Sequence, residues 1–423
     1  MPFENIPNSS GLHGCSEHSQ TPINLPTPRR ENSMDDASAA RPKRRVATTL
    51  AHAGRDPTAY HGFINPPVVH ASTVLFPDVQ ATRTRTQKYT YGINGTPTTD
   101  ALASIMNELE GAEHTALVSS GLAACTIAFA SALKAGDRAL VTDNVYMPTR
   151  RFSNGFLSRF GVEIVYFDPL DHAAYETELE KGAAAVFLEA PGSLTFEMCD
   201  IPYLAARAKA AGAVTMMDNT WATPLFFRPL EHGVDLSIHA ATKYLSGHSD
   251  LLFGTISGRG EAIANVRNTV QEFGENVGPD DVYSVMRGIR TLQPRMAQFQ
   301  HNTRKVAEWL SADARVGKVL YPALPGAPGH ALWKRDFEGA TSLFAVTFKG
   351  RTEAEIMKMV DSLTLFGIGA SWGGFESLAT MPVVNATRSA TRWPDDEPLV
   401  RINIGLEDPA DLIADLDQAM AHL

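Results

Sequence analysis

Asp218 and Lys243 are the two residues whose types and placement best suit them to chemistry. Asp218 closes the apolar run of MMDNTWATP, and Lys243 follows another in SIHAATKYLSGHSDLLFG. A carboxyl group emerging from a buried strand is costly unless it is paired, and a lysine followed by Tyr, Ser, Gly and His sits in a polar loop able to shape a site. Taken alone, the pair favours a plainer reading, with Asp218 capping the next turn and Lys243 a surface amine. A third segment shifts the balance. In VSSGLAACTIAFA, Ser119, Ser120 and Gly121 precede a helical run, where free backbone N–H groups and the helix dipole suit a dianionic phosphate. Phosphate anchor, carboxylate and amine in one domain match a pyridinium cofactor held through an imine: lysine supplies the imine nitrogen, and aspartate keeps the ring nitrogen protonated.

Other chemistries lack their residues. No GxGxxG follows an early strand and no GxxxxGK[ST] occurs, so dinucleotide and P-loop sites lack a phosphate cradle. His239 and His248 flank Lys243 without a cysteine or carboxylate cluster at ligand spacing, so no metal is expected.

The elements that must position these residues are readable from periodicity. RALVTD, GVEIVYFD, AAAVFLEA, GAVTMMDNT and VDLSIHAAT are short, nearly continuous apolar runs, separated by helical stretches such as GLAACTIAFASALKAGD and IPYLAARAKAAG. Strands apolar on both faces belong to a mostly parallel sheet covered by helices, which makes the fold class α/β. The stretch 281–310 reads as a long amphipathic helical region. After it, SLFAVTFKG, LTLFGIGAS and PLVRINIGLED suggest a smaller α+β unit closed by the helix DLIADLDQAMAHL. Residues 1–46 are rich in Pro, Ser, Asn and Gly without an apolar stripe and read as a disordered extension. The expected division is therefore 1–46 as tail, 47–97 as an N-terminal arm, 98–295 as the large domain and 296–423 as the C-terminal domain.

Composition agrees with a multidomain enzyme. The 423 residues are 44% hydrophobic and 20% charged, with a net charge of −10, which speaks against nucleic acid as a partner. Six basic and five acidic side chains fall in residues 1–46, so the rest carries −11. No run reaches the roughly 18–20 apolar residues that span a bilayer, and the N-terminus has no basic region followed by an apolar one. Three cysteines, Cys15, Cys125 and Cys199, suggest reduced thiols and a cytoplasmic location.

Longer motifs then identify a family. HAGRD at 52–56, YGINGTPT at 91–98, TDNVYMPT at 142–149, EAPGSLTFE at 189–197, DNTWATPLFFRPLEHGVDLSIHAATKY, SWGGFESL and RINIGLED resemble the pyridoxal phosphate enzymes of cysteine and methionine metabolism. The resemblance covers residues 47–423. It implies an aspartate-aminotransferase-like (fold type I) large domain with a seven-stranded sheet, pyridoxal 5'-phosphate as cofactor, and Lys243 as the residue bonded to it. It further implies Asp218 at the ring nitrogen, Gly121, Leu122 and Thr242 at the phosphate, Tyr146 stacked on the ring and Ser193 near its phenolic oxygen. Arg401 would clasp the substrate carboxylate, a planar fork suited to two oxygens. Ser371 and Trp372 would lie beside it, and Tyr283 would line the substrate side.

Trp372 in SWGG resembles the β-lyase branch, whose reaction is β-elimination of L-cystathionine to homocysteine, pyruvate and ammonia. γ-Lyase or γ-synthase chemistry, a cysteine desulfhydrase, and a non-catalytic regulator on the same fold are the alternatives. The family pattern also implies a homotetramer in which Tyr91 serves the neighbouring site. One residue departs from it: the family carries Tyr-x-Arg where this chain has Tyr91 and Ile93. The missing guanidinium puts the phosphate grip in question, with Arg83, Arg85 and Tyr89 nearby.

Overall fold

The computed structural model describes residues 44–394 and 398–423. The expected tail falls outside them up to residue 43, and Val46 already opens a helix, Val46–His52. The central sheet holds β1 (His114–Val118), β2 (Arg138–Thr142), β3 (Glu163–Phe167), β4 (Ala185–Glu189), β5 (Val214–Asp218), β6 (Leu236–Ala240) and β7 (Gly254–Gly258). Their order is β1-β7-β6-β5-β4-β2-β3. Strands β2 to β6 run parallel, while β7 is antiparallel to both β6 and β1.

Neighbouring residues along these strands enter opposite cores. Val141, Phe187, Met216 and Ile238 pack with Phe129 and with Ile263 and Val266 of the helix Gly260–Glu272. Their neighbours Leu140, Val186, Leu188 and Met217 pack on the other face with Leu204 and Ala208 of the helix Ile201–Ala210. Each such side chain contributes about 1.5–3 kcal/mol of burial, so a continuous apolar strand is stable only between two helical layers.

The long helical region breaks at Thr291 into Pro279–Arg290 and Leu292–Ala312. The second helix runs unbroken through 295 and 296 and so joins the two domains. The C-terminal sheet has β8 (Val316–Leu320), β9 (Leu343–Phe348), β10 (Gly367–Ile368), β11 (Leu378–Thr380) and β12 (Leu399–Asn403), in the order β10-β11-β12-β9-β8. All pairs but β10 and β11 are antiparallel. Phe344, Val400, Ile356, Leu412 and Leu416 join the same core as Leu188 and Met217, so apolar packing runs without a gap from one domain into the other. Among the described residues no helix is long and apolar enough to cross a membrane.

Candidate active site

In a parallel sheet, ligands bind beyond the carboxyl ends of the strands, where the chain turns away. Here β4, β5 and β6 end side by side at Glu189, Asp218 and Ala240, and a cavity of about 340 Å³ opens above them. Its lining includes Gly121, Leu122, Tyr146, Ser193, Asp218, Thr242, Lys243, Trp372 and Arg401. Residues from both domains thus converge on one space.

Asp218 is anchored by its own turn. Its Oδ1 accepts from the Thr220 N–H at 3.0 Å and the Thr220 hydroxyl at 2.5 Å, and the same hydroxyl accepts from Ala240 N at 2.8 Å. This cross-strand tie fixes the β5 and β6 ends together. The contact recorded for Oδ2 is the Cys125 thiol at 4.0 Å, so that oxygen keeps acceptor capacity towards the cavity. Burial pushes the Asp218 carboxyl above its usual range, against the Thr220 hydrogen bonds and the nearby His239 and Lys243, which favour its charge.

Lys243 lies just beyond β6, and its Nζ donates to Ser371 Oγ at 2.7 Å. The ammonium also sits 5.3 Å from the centre of the Trp372 ring. Burial, and then Arg401, bring its pKa down to about 8, while Asp218 pulls the other way. The amine is therefore partly free near neutrality, as a nucleophile or base must be.

The phosphate end is built from backbone. Ser120 caps the helix Gly121–Ala132 by accepting from Ala123 N at 3.1 Å. A Cβ on Gly121 would meet Ala240 Cβ at 2.4 Å, so only glycine lets this helix start against β6. Thr242 Oγ1 accepts from Phe253 N at 2.9 Å, which fixes the hydroxyl at the cavity edge. The residues present fit pyridoxal phosphate: an enclosed carboxylate with a spare oxygen, a depressed-pKa amine and a helix N-terminus share one cavity.

The substrate end is supplied by β12 and the loop before β11. Arg401 donates through Nη2 to the Ala370 carbonyl at 2.8 Å and to the Ser371 carbonyl at 3.3 Å. Burial lowers its pKa, and Tyr146 offsets this in part. Ser193 belongs to a loop that closes over the large-domain side, where its N–H donates to Asn144 O at 2.8 Å. Gly192 allows that approach, since a Cβ there would lie 2.0 Å from Asn144 Nδ2.

Of the expected residues, Ser371, Tyr283 and Tyr91 do not line this chain's cavity, although Ser371 bonds to Lys243 at its edge. Tyr283 lies on the helix Pro279–Arg290 and packs against the cluster of Leu50, Val285 and Ile289, because its helix turns that side to the apolar core. Tyr91 stands half-exposed on the arm, where its hydroxyl accepts from Ser72 Oγ at 3.2 Å. Ile93 is exposed beside it. Tyr89 donates to Asp100 Oδ2 at 2.8 Å, while Arg83 and Arg85 lie exposed at the end of the helix Val79–Thr84. Sequence reasoning passed over Glu189 and Cys125, both in the cavity lining. Glu189 was marked by its place at the end of an apolar run and at the head of the motif EAPGSLTFE, though no role was read for it, and Cys125 by following Gly121 by one helical turn.

The model of the family described as "Cys/Met metabolism PLP-dependent enzyme" matches residues 47–421. A Rhizobium johnstonii protein named "Putative cystathionine beta-lyase" is 51% identical over 380 residues, 89% of this chain and 96% of that one. An L-alanine/L-glutamate racemase of Wolbachia pipientis wMel is 39% identical, covering 88% of this chain and 96% of its own. Among solved structures, the cystathionine gamma synthase of Xanthomonas oryzae pv. oryzae in complex with aminoacrylate and cysteine superposes with a TM-score of 0.83 at 30% identity. That match covers 90% of this chain and 99% of the other.

Proposed function

This chain belongs to the pyridoxal phosphate-dependent enzymes of cysteine and methionine metabolism, and we propose that it is a carbon–sulfur lyase that splits L-cystathionine into homocysteine, pyruvate and ammonia. The observation that carries the reading is the junction of Lys243 with Ser371 and Trp372, facing Asp218 and Arg401 across one cavity. Pyridoxal phosphate, when bound, supplies an electron sink for the charge left at Cα after proton loss.

The chain's own residues do the rest. Gly121 and Leu122 N–H groups and the Thr242 hydroxyl would hold the phosphate, and Tyr146 would offer its ring to the cofactor. Asp218 would hold a proton at the cofactor's ring nitrogen. Arg401 pairs with the substrate carboxylate, which orients the Cα proton towards Lys243. With a pKa of about 8, the Lys243 amine takes that proton and returns one to the departing sulfur as the Cβ–S bond breaks. Hydrolysis of the three-carbon remainder yields pyruvate and ammonia. Cysteine and cystine are side substrates under the same scheme.

Two copies complete each site in this reading. The arm carrying Tyr91 reaches the neighbour's phosphate, and dimers pair into a cytoplasmic tetramer. Ile93 leaves that contact without the family's guanidinium, and Arg83 or Arg85 supplies the cation from the preceding helix end.

Product analysis with L-cystathionine tests the reading. Homocysteine with pyruvate is the expected outcome. Cysteine with 2-oxobutyrate would assign γ-elimination instead, and interconversion of alanine enantiomers without sulfur release would align the chain with its Wolbachia relative.

A further inference from the structure

Glu189 has no part in the scheme above, yet it sits at its centre. It ends β4 as the register partner of Asp218 at the end of β5, so the two carboxyl groups leave adjacent parallel strands side by side and line the same cavity. Its hydrogen bond among the described residues runs to the segment that follows β2, its other neighbour in the sheet: Oε2 accepts from the backbone N–H of Tyr146 at 2.7 Å. Tyr146 is the residue from which the helix Met147–Phe152 starts, so this bond fixes the backbone that carries the phenol ring.

We propose that Glu189 is a positioning residue for the reaction, whose carboxyl seats Tyr146 so that the phenol ring stays over the cavity. The inference rests on the reading of Tyr146 as the residue that packs against the cofactor ring. Glu189 does this work as the neutral acid. Burial first, and then the Asp218 carboxylate, push its carboxyl well above the usual range, and the Tyr146 N–H offsets this only in part.

The titratable groups that face Glu189 are Asp218 from β5, Cys125 from the helix Gly121–Ala132, Tyr146, and Cys199, whose thiol approaches the Glu189 carbonyl at 3.9 Å. None of them is a cation. Two carboxyls held side by side, with no cation beside Glu189, do not readily both ionise. Asp218 keeps the charge, since the Thr220 N–H and hydroxyl and the nearby His239 and Lys243 all favour its anion. A neutral Glu189 thus leaves the negative charge of this wall at Asp218, where a ring-nitrogen proton can use it.

Three variants of the full chain test this: E189Q, E189A and Y146A. Each is stripped of cofactor, checked for folding by thermal melt, and titrated with pyridoxal phosphate; the pH profile of turnover is then recorded. E189Q keeps an amide oxygen for the Tyr146 N–H and removes no charge, so cofactor affinity and the acid limb of the profile stay as in the parent. E189A loses the acceptor, and its affinity falls about tenfold, the effect of one lost enclosed hydrogen bond. Adding E189A to Y146A costs no more than Y146A alone, because both act through one ring. A shifted acid limb or a tenfold loss in E189Q would mean an ionised Glu189 and overturn the proposal. So would unchanged affinity in a folded E189A. If Y146A itself binds cofactor normally, it is the stacking role of Tyr146 that fails, and the seating role falls with it. Should E189A not fold, E189Q and its pH profile still decide between neutral acid and anion.

Discussion

On the large-domain side of the cavity, Glu189, Asp218 and Lys243 stand at or just past the ends of adjacent strands, and Gly121 opens a helix pressed against β6. On the C-terminal side, Arg401 is held by β12, but Ser371 and Trp372 lie in the loop between β10 and β11. That loop is tied by side chains. Asn403 Oδ1 accepts from the Ser342 hydroxyl at 2.7 Å and Gly373 N at 3.1 Å, its Nδ2 donates to Glu376 O at 2.9 Å, and Glu407 accepts from Ser377 N at 2.8 Å. A second set of ties joins the domains further out, where the buried Asp143 carboxylate accepts from Ser389 N at 2.9 Å and Thr391 N at 2.7 Å. One wall takes its geometry from the sheet ladder, the other from a few replaceable polar contacts. Changes in the first should therefore strike the chemistry, and changes in the second should alter substrate fit while leaving the chemistry in place.

The sharpest attempt to break this contrast is K243A. Loss of the amine removes the proton carrier and should cut turnover of cystathionine by about a hundred- to ten-thousandfold, with little change in the apparent KM. A comparable rate in K243A, measured by pyruvate release, would mean that another base serves the site. R401A is its counterpart on the other wall. It should raise KM by about 10- to 150-fold, the worth of a charge-assisted contact, while kcat falls less. R401K should stay well short of the parent, because a point charge cannot match two carboxylate oxygens in one plane.

pH separates the walls more gently. Lys243 titrates near 8, below an ordinary lysine, chiefly because it is buried. Its free-amine fraction rises through that pKa, so cofactor capture by the stripped protein should speed up about tenfold between pH 7 and 9. The linkage has the same sign: the unfolded chain binds the proton more tightly between pH 8 and about 10.5, so stability of the stripped protein from this group rises with pH across that window. A capture midpoint above 10 would show that the amine is not enclosed as described.

The ladder-built wall was the more legible one in the sequence. Asp218 and Lys243 close apolar runs, and Gly121 opens a helical one, so local pattern alone marked all three. Arg401, Ser371 and Trp372 carry no local mark and were reached only through long motifs shared with a family, since nothing near them in sequence reveals that they face Lys243. Glu189 is one of 47 acidic residues and becomes distinctive only because β4 and β5 are neighbours in register. β7, GTISG, has too little apolar content to stand out, yet it closes the sheet between β6 and β1. Tyr283, like Arg401, was reached only through the family's motifs; in this chain its helix packs it against the apolar cluster of Leu50, Val285 and Ile289.

Asn403 offers the finest test of the side-chain-tied wall. It is buried, 1% exposed, and its amide serves Ser342 and Gly373 as acceptor and Glu376 as donor. Ser342 in turn pairs with the hydroxyl of Tyr244, the residue after Lys243, at 2.8 Å, so a chain of polar contacts runs from the reactive loop to the substrate loop. In N403A the buried Ser342 and Gly373 groups and the half-buried Glu376 carbonyl lose a partner, the buried ones with a penalty of about 1–3 kcal/mol each where no water enters, so the melting temperature should drop. The loop carrying Ser371 and Trp372 then loses its fixed height over the cavity, and KM for cystathionine should rise severalfold. Cofactor affinity and its absorption band should stay unchanged, because Asp218, Thr242 and Gly121 take nothing from Asn403. If N403A weakens the cofactor as much as the substrate, the two walls are one mechanical unit and the contrast between them fails; if only substrate fit suffers, the polar chain is what adjusts it.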